Sequence, residues 1–439
     1  MKRVGSIILA VMTAAALITG CAAGTGNMEA QGETSGGQQA DGETATDESE
    51  AETVPGIEAI DPEDSKGIMK NTVNSFNWDL FNYYDREENL FFSPYCLVSA
   101  LVLTDLGAAG DTRSEIEKSL YIEDYNGLLG ELKGYLEREE KESAYLRTAN
   151  GLFIDGSLKT SPSYEKAFKE TAVNDLHGEF RTVDFRNDTD SVKKEISSWV
   201  KDATGGMISD FESGATKDTV ADILSAVYFY GEWQTKFQHD NTYTETFKGL
   251  KGDSDVEMMH MDRTYFRYTD DTRGIKALAL PYEGGEYEMD ILMMADPDAK
   301  GAPEIPDSET AEEVLSTLDN AGETEIYTLA LPKFKLDLEL EELKETLKAL
   351  GMKSMFTEDA DFSRLAEDVM ISDINHRAAV EVDEEGSRAA AVTEVMATLT
   401  SIMEEDEPKT EFIVDRPFVF LIRDRQTGTI LFTGRVNGI

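Results

Sequence analysis

The spacing of apolar residues changes from a helical to a strand period along this chain. Helical spacing occurs at 70–85 (KNTVNSFNWDLFNYYD) and at 190–205 (DSVKKEISSWVKDATG), where Gly205 and Gly206 indicate a helix end. The segments 275–296 and 415–436 each indicate two strands joined by a short polar turn, at 283–286 and at 426–428. Helices early in the chain and antiparallel strands late in the chain predict an α+β domain.

The segment 380–402, VEVDEEGSRAAAVTEVMATLTSI, joins a strand-like approach, a glycine pivot and a run of small residues. Alternate side chains of an extended chain face opposite sides, and one parity here holds only small or β-branched uncharged residues. That parity comprises Ser387, Ala389, Ala391, Thr393, Val395 and Ala397. Arg388 and Glu394 fall on the other parity, which predicts a loop able to become a strand with one buried face. The helix propensity of 389–391 leaves an exposed helix or a flexible loop open as alternatives.

The composition indicates a soluble globular body with a strongly acidic character. Of the 439 residues, 40% are hydrophobic and 29% are charged, which allows a large core. The formal net charge of −46 disfavours nucleic acid as a partner, because phosphate binding needs clustered Lys and Arg.

The N-terminus has the pattern of a targeting signal. Lys2 and Arg3 precede an apolar run at 7–18, which is too short for a permanent membrane span. The run ends in LITGC at 17–21, which resembles a bacterial lipoprotein signal that is cleaved after residue 20 so that Cys21 carries the lipid. An ordinary secretory signal with an incidental cysteine is the alternative. With Cys21 lipidated, Cys96 could form no disulfide within the chain, and we expect it to be a small buried hydrophobe.

A segment without aromatic or basic residues separates this signal from the rest of the chain. From 22 to 65 there is no Lys, Arg, Phe, Trp or Tyr, so the segment cannot bury enough apolar area to offset its ordering entropy. We therefore predict a lipoprotein signal peptide at 1–20, a lipidated and disordered acidic tether at 21–66, and a folded domain at 67–439. The lipid would anchor the domain on the extracellular face of a bacterial envelope, with release from it as a further option.

Sequence signatures of catalysis are nearly absent. We find no HExxH pair, no CxxC, no GxSxG and no phosphate-binding GxxxxGK[ST] loop. His239 and His260 each have an aspartate nearby but lack the further ligands that a metal site needs. We expect no enzymatic activity, no metal and no cofactor.

Several separated segments resemble, in their order along the chain, those of the serpin family. They are NLFFSP with the apolar run to LGAAGDT (89–112), TANGLFID (148–155), WVKDATGGMISDF (199–211), LSAVYFYGEW (224–233), LPKF (331–334), ISDINHRAAVEVDEEG (371–386), DRPFVFLIRD (415–424) and LFTGRV (431–436). The resemblance covers 67–439. It implies a monomeric α+β serpin fold with a large central mixed β-sheet, further β-sheets, surrounding helices and an exposed reactive-centre loop at about 386–411.

The resemblance also implies a buried polar cluster beneath the main sheet, where that sheet opens to accept the loop. His376, Ser93 and Ser225 match its members, and Trp233 matches the position where insertion begins. The family commonly has Asn at the position of Ser225 and a second Ser at that of Cys96. A hydroxyl and a thiol offer fewer or weaker hydrogen bonds than those groups, so we expect a looser or water-filled latch. The sequence alone favours Trp233 as an ordinary core residue, and the alternative for His376 is a core histidine that one hydrogen bond satisfies.

By this resemblance the chain would inhibit a protease as a suicide substrate. The protease attacks the exposed loop and forms an acyl-enzyme, and the freed loop inserts into the main sheet before deacylation. Insertion begins at a hinge that comprises Glu385, Gly386, Ser387, Arg388, Ala389, Ala390, Ala391, Val392 and Thr393. No proline and no inward charge obstruct the hinge. We therefore favour an inhibitor over a non-inhibitory surface binding protein with the same fold.

The family's spacing from the hinge glycine places the reactive bond between Thr400 and Ser401. The loop is longer than in many relatives, so the bonds after Leu399, Ile402 or Met403 stay open.

No basic residue lies between Arg388 and Lys409, which disfavours a trypsin-like target. The small and medium apolar residues at 397–400 favour an elastase-like or subtilisin-like serine protease, and a cysteine protease remains an alternative. The acidic charge of the chain also disfavours a heparin-type cofactor.

Overall fold

A computed structural model describes the chain at 58–138, 143–160, 169–387 and 409–439. All described residues belong to one compact unit, Ala51–Ile439. The predicted signal peptide, most of the predicted tether, and the loop at 388–408 lie outside the described residues.

Four of the seven described α-helices begin after a side chain that caps their N-terminus. The seven helices are α1 (Ile68–Tyr83), α2 (Pro94–Asp105), α3 (Gly110–Ser119), α4 (Tyr125–Leu136), α5 (Phe185–Ala203), α6 (Ser308–Asp319) and α7 (Leu343–Ala349). Ser93 caps α2, because its hydroxyl accepts the Cys96 amide at 3.1 Å and Pro94 occupies the first turn. Carboxylates cap α4, α5 and α6 in the same way, from Asp124, Asp184 and Asp307.

The larger of the two described sheets contains nine strands in the order β1-β15-β14-β8-β7-β6-β9-β13, with β5 also paired to β6. Its strands are β1 (Leu90–Phe92), β5 (Thr242–Gly249), β6 (Gly252–Thr272), β7 (Ile275–Pro281), β8 (Tyr287–Met294), β9 (Glu323–Pro332), β13 (Glu411–Ile413), β14 (Phe418–Asp424) and β15 (Ile430–Val436).

A second sheet of six described strands, the central sheet, mixes parallel and antiparallel pairs in the order β10-β11-β12-β4-β2-β3. The neighbours β11 and β4 are parallel, as are β2 and β3, whereas β10–β11 and β2–β4 are antiparallel. Its strands are β2 (Ala144–Asp155), β3 (Glu179–Val183), β4 (Ala221–Glu232), β10 (Phe334–Glu339), β11 (Asp373–Val382) and β12 (Gly386–Ser387).

The predicted α+β class is confirmed, and so are its most regular elements. Both predicted helices exist, as α1 and α5, and Gly205 and Gly206 follow α5 with φ of 66° and 87°. Both predicted hairpins exist, as β7–β8 and β14–β15.

Helices cover both faces of the central sheet. On one face, Leu224 and Ala226 of β4 belong to the same apolar core as Ile196 and Val200 of α5. On the other face lies α2, which is buried along nearly its whole length. Because both faces are covered, each fully buried Val, Leu, Ile or Phe side chain of the sheet stabilises the fold by about 1.5–3 kcal/mol relative to exposure.

The described residues include 58–66, which precede the predicted domain start at residue 67. Ile60 donates its amide to the carbonyl of Gly130 in α4 at 2.9 Å, and the Glu131 carboxylate accepts the amide of Lys66 at 2.8 Å. Gly134 leaves room for this contact, since a Cβ there would lie 1.8 Å from the Ile60 carbonyl oxygen. Residues 58–66, which composition placed in the tether, therefore pack on α4.

In the described part of the chain, no helix is both long and apolar enough to cross a membrane.

Candidate functional site

In the central sheet, β4 and β11 are paired with each other at one end and separated from each other at the other end. β4 and β11 pair directly in parallel over seven positions, from Asp222 opposite Asp373 to Tyr228 opposite Ala379. Beyond this closed part, which we call the seam, the two strands separate and β12 lies between them. Ser387 of β12 pairs with Val382 of β11 on one side and Gly231 of β4 on the other. The first residues of a further strand are thus already in place, between two strands that an added strand would have to separate.

Gly386 and Ser387 fit this narrow position because they are small. Gly386 has a φ of 156°, and a Cβ on it would lie 2.0 Å from the Gly231 carbonyl oxygen. Ser387 is fully buried, and its hydroxyl lies 2.6 Å from that of Tyr282. Any larger residue at position 386 would push β12 away from β4.

Charged contacts fix the residues that precede β12. The Glu385 carboxylate accepts Lys236 Nζ at 2.8 Å, and that of Glu384 accepts Thr242 Oγ1 at 2.8 Å and lies 3.2 Å from Lys333 Nζ. Burial would raise the pKa of the Glu384 carboxyl, but the Thr242 hydrogen bond and the Lys333 ammonium outweigh it and lower that pKa. Sequence reasoning missed Glu384 and Lys333, although the acidic run DEEG was a visible signal.

A chain of buried hydrogen bonds crosses the seam on the α2 side. The Ser93 amide donates to His376 Nε2 at 3.0 Å, and His376 Nδ1 lies 3.0 Å from Ser225 Oγ. Because Nε2 accepts a hydrogen bond, the ring proton resides on Nδ1 and is donated to Ser225. Burial lowers the pKa of His376 to about 3, so the ring is neutral at physiological pH. The structure thus brings together three residues that the sequence grouped.

The thiol of Cys96 extends this chain of hydrogen bonds, contrary to the expectation of a merely apolar residue. Ser225 Oγ lies 3.2 Å from Cys96 Sγ, which lies 3.1 Å from Asn150 Oδ1 in β2. Burial raises the pKa of the thiol to about 12, so it stays protonated. Cys96 is fully buried, as expected, but it also bonds to polar partners. Sequence reasoning missed Asn150, although it lies within the segment TANGLFID.

Trp233 lies where the central sheet opens. Its ring stacks on Tyr282 with centroids 4.7 Å apart, and Nε1 donates to the Asp383 carbonyl at 3.0 Å. Its backbone amide donates to the Glu385 carbonyl at 2.8 Å. Trp233 therefore contacts the backbone just before β12 through both its ring and its amide.

The remaining predicted site residues lie where the structure gives no description. These are Arg388, Ala389, Ala390, Ala391, Val392, Thr393, Thr400, Ser401 and the lipidation residue Cys21.

Neither histidine that was considered as a metal ligand lies in a metal-binding group. His239 faces Glu384 and Glu385, and His260 Nε2 lies 3.1 Å from Glu245 Oε1. Within 58–138, 143–160, 169–387 and 409–439, no cluster of three or more His, Cys, Asp or Glu could hold a metal ion.

Comparisons with known proteins identify the family to which the chain belongs. The family described as "Serpin (serine protease inhibitor)" matches residues 71–439, and the chain belongs to that family. It is 33% identical to a serpin-like protein of Thermococcus kodakarensis over 83% of this chain and 84% of the relative. It is also 33% identical to the leukocyte elastase inhibitor of Bos taurus, over 80% of this chain and 93% of the relative.

A solved structure shows the same fold. The native state of the thermophilic serpin tengpin matches with a TM-score of 0.74 and 26% identity, covering 85% of this chain and 95% of that one. The serpin fold is therefore confirmed. Membership of the family supports protease inhibition as the general activity, and serpins are generally inhibitors rather than catalytic enzymes.

Proposed function

We propose that this protein inhibits a protease as a suicide substrate, by inserting its cleaved reactive loop between β4 and β11. One observation carries the proposal. The central sheet already holds Gly386 and Ser387 between two strands that are otherwise paired directly with each other. A sheet arranged in this way can lengthen β12 into a full strand.

The register of β12 supports insertion of the loop that follows it. Gly386 lies opposite Glu232, and Ser387 lies opposite Gly231 and Val382. Continued residue by residue, this register would bring Thr393 opposite Ser225 on one side and His376 on the other. It would also turn the small and uncharged parity of the loop toward α2 and send Arg388 and Glu394 to the other face. The inserted loop would therefore present a hydroxyl to the hydrogen-bond chain that its entry disrupts.

The chemistry of trapping belongs mostly to the protease. Its nucleophilic oxygen would add to the carbonyl carbon of Thr400 while its base takes the nucleophile's proton. Collapse of the tetrahedral intermediate would break the Thr400–Ser401 bond, and Ser401 would leave as a protonated amine. An ester would then join Thr400 to the protease. Insertion would carry this ester away from the sheet opening before water hydrolyses it.

Insertion also supplies the driving force. About a dozen inserted residues that gain some twenty hydrogen bonds at ~0.5–1.5 kcal/mol each would contribute on the order of 10–30 kcal/mol gross. That is at least comparable with the stability of a typical domain, at about 5–15 kcal/mol. The intact protein would therefore be metastable.

We infer an elastase-like or subtilisin-like serine protease as the target. The residues at 397–400 are small or apolar, and no basic residue occurs between Arg388 and Lys409 to occupy a trypsin-like pocket. The similarity to an elastase inhibitor agrees with this choice. We further propose a monomer, held by a lipid on Cys21 at the outer face of a bacterial envelope.

Incubation of the chain after residue 20, with Cys21→Ser to prevent lipidation, tests the proposal. Pancreatic elastase, a subtilisin, trypsin and papain would each be added, followed by denaturing gels and mass spectrometry of the released C-terminal fragment. We expect an SDS-stable complex with elastase or subtilisin and a fragment that begins at Ser401. A complex with papain alone would reassign the target to cysteine proteases. Clean loop cleavage with fully active proteases would instead support a non-inhibitory binding protein.

A further inference from the structure

A second buried polar contact crosses the seam, on the face opposite to His376. Asn375 Nδ2 of β11 donates to Asp222 Oδ1 of β4 at 3.1 Å. The Asp222 side chain is fully buried, and Asn375 is 8% exposed. Leu224 and Ala226 share this face of β4 and pack against α5, so the contact lies beneath α5. The predicted polar cluster did not include either residue.

A third element joins this contact. Ser213, in the segment that connects α5 to β4, points its hydroxyl at Asp222 Oδ2 over 3.5 Å. Asp222 thus contacts one residue across the seam and one residue of the covering segment. Burial of polar groups is tolerated when they are hydrogen-bonded, and removing one partner leaves the other with its desolvation cost.

Loop insertion and this contact exclude each other. Adjacent strands lie about 4.7–4.9 Å apart, so a strand inserted between β4 and β11 would separate them by about 9.4–9.8 Å. An Asp–Asn hydrogen bond between the two strands cannot span that distance. The contact must break before the inserted strand can reach the Asp222 end of the seam.

We propose that Asp222 and Asn375 form a clasp that holds the seam closed and limits how fast the loop inserts to full length. This inference rests on the proposed insertion mechanism for its functional meaning, whereas the clasp itself concerns only the intact sheet. Asp222 and Asn375 are positioning residues, since neither touches the protease or the reactive bond. The His376 hydrogen bonds and the clasp would act on opposite faces of the same two strands.

The charges around Asp222 make the clasp sensitive to pH. Asp373 of β11 lies opposite Asp222, and Glu339 of β10 lies near Asp373. Arg377 pairs with Asp337 and with Asp210 from the segment after α5. In the described part of the chain no cation pairs with Asp222. Burial first, and Asp373 second, raise the pKa of Asp222 to about 8, so its carboxyl is neutral at pH 7.

The direction of the pH effect follows from this raised pKa. The closed sheet holds the Asp222 proton up to about pH 8, whereas a solvated Asp222 would lose it near pH 3.9. The closed sheet therefore weakens relative to an opened sheet as pH rises from about 4 to about 8, and the effect is constant at higher pH. Asp222→Asn keeps an acceptor for Asn375 and cannot ionise, so it should remove this pH dependence.

Amide hydrogen exchange of the intact protein tests the clasp without any protease. Protection factors would be measured for 222–228 and 373–379, with the β14–β15 hairpin as an internal reference. The variants are Asn375→Leu, Asp222→Leu, the double variant, and Ser213→Ala, which leaves the contact across the seam in place. We expect each single leucine variant to lower seam protection by about 5- to 160-fold, the range that corresponds to leaving one buried polar partner unsatisfied. The double variant should lower it no further than the larger single effect.

Measuring seam protection at several pH values gives a second test, which does not depend on the leucine variants. It uses Asp222→Asn, which preserves the shape of the side chain. From pH 6 to pH 8 the seam protection of the wild type should fall more than tenfold relative to that of Asp222→Asn. Equal protection in wild type and all variants, or single effects that multiply in the double variant, would overturn the clasp. A loosened seam without any covalent protease complex would support the clasp and refute the proposed function instead.

Discussion

At the scale of single residues, the seam depends on side chains that are polar, buried and neutral. His376 has a lowered pKa and bonds to Ser93 and Ser225 as a neutral ring. The Cys96 thiol has a raised pKa and stays protonated. Neutral groups suit this place, because two strands that must separate would otherwise expose or rebury a charge.

Protonation of His376 should make the native protein acid-sensitive. The pKa of His376 is lowered to about 3 in the native state and near 6.5 when unfolded, so the unfolded chain gains a proton first as pH falls. The contribution of the neutral His376 ring to the free energy of unfolding is complete above about pH 6.5. This contribution decreases as pH falls toward 3, with about 2 kcal/mol lost by pH 5. Urea unfolding of wild type and His376→Gln at pH 7 and pH 5 checks this. The wild type should lose about 2 kcal/mol more than the variant, and equal losses would contradict the assignment of a buried neutral ring.

The sequence could identify His376, Ser93 and Ser225 because their surrounding segments resemble those of a known family. The sequence could not predict the contact between Asn375 and Asp222, because the two residues are 153 positions apart and meet only when β4 and β11 become neighbours. Nor could it assign Asn150 to Cys96, since a cysteine in an apolar run predicts only burial. Local periodicity records which face of a strand is buried, but not which residue lies opposite.

At the scale of elements, the proposed insertion of the loop depends on β12. It is two residues long, and its glycine lies against the backbone of β4. The helices and hairpins were predictable because their periods and turns are local. The packing of 58–66 on α4 was not, because it depends on glycines in the helix and on backbone hydrogen bonds rather than on apolar residues in the segment.

Replacing the hinge glycine should convert the inhibitor into a substrate. In Gly386→Ala the new Cβ would lie 2.0 Å from the Gly231 carbonyl oxygen, and such overpacking costs about 1–3 kcal/mol. Loop insertion would be slower in this variant, so a larger fraction of the acyl-enzyme would be hydrolysed before the protease is trapped. The ratio of protease–inhibitor complex to cleaved product, measured on denaturing gels, should fall by roughly 5-fold or more. Ser387→Ala, which removes only the hydroxyl contact with Tyr282, is the matched control and should keep most of its complex. An unchanged ratio in Gly386→Ala would contradict the hinge assignment.

Replacing Gly134 in α4 should release the segment at 58–66 without unfolding the domain. The added methyl group would collide with the Ile60 backbone, whereas alanine in a helix interior otherwise stabilises by about 0.5–1 kcal/mol. We expect amide exchange at 58–66 to accelerate at least tenfold in Gly134→Ala and to stay unchanged in Glu137→Ala, an exposed position next to the same helix. Unchanged exchange in Gly134→Ala would show that the segment does not pack on α4.

At the scale of the whole molecule, the central sheet holds fewer strand pairings than it can. β4 and β11 pair with each other over the seam, yet they already accept β12 at one end. A loop that entered between them would replace one ladder by two.

Loop cleavage should therefore stabilise the protein, although it breaks the chain. The melting temperature of the intact protein would be compared with that of protein cut within the loop by a catalytic amount of elastase or subtilisin. Insertion predicts that the cut protein melts more than about 10 °C higher, given the hydrogen bonds gained and the size of the domain. Equal or lower melting after a confirmed cut would show that the loop does not enter the sheet, and would contradict the insertion mechanism.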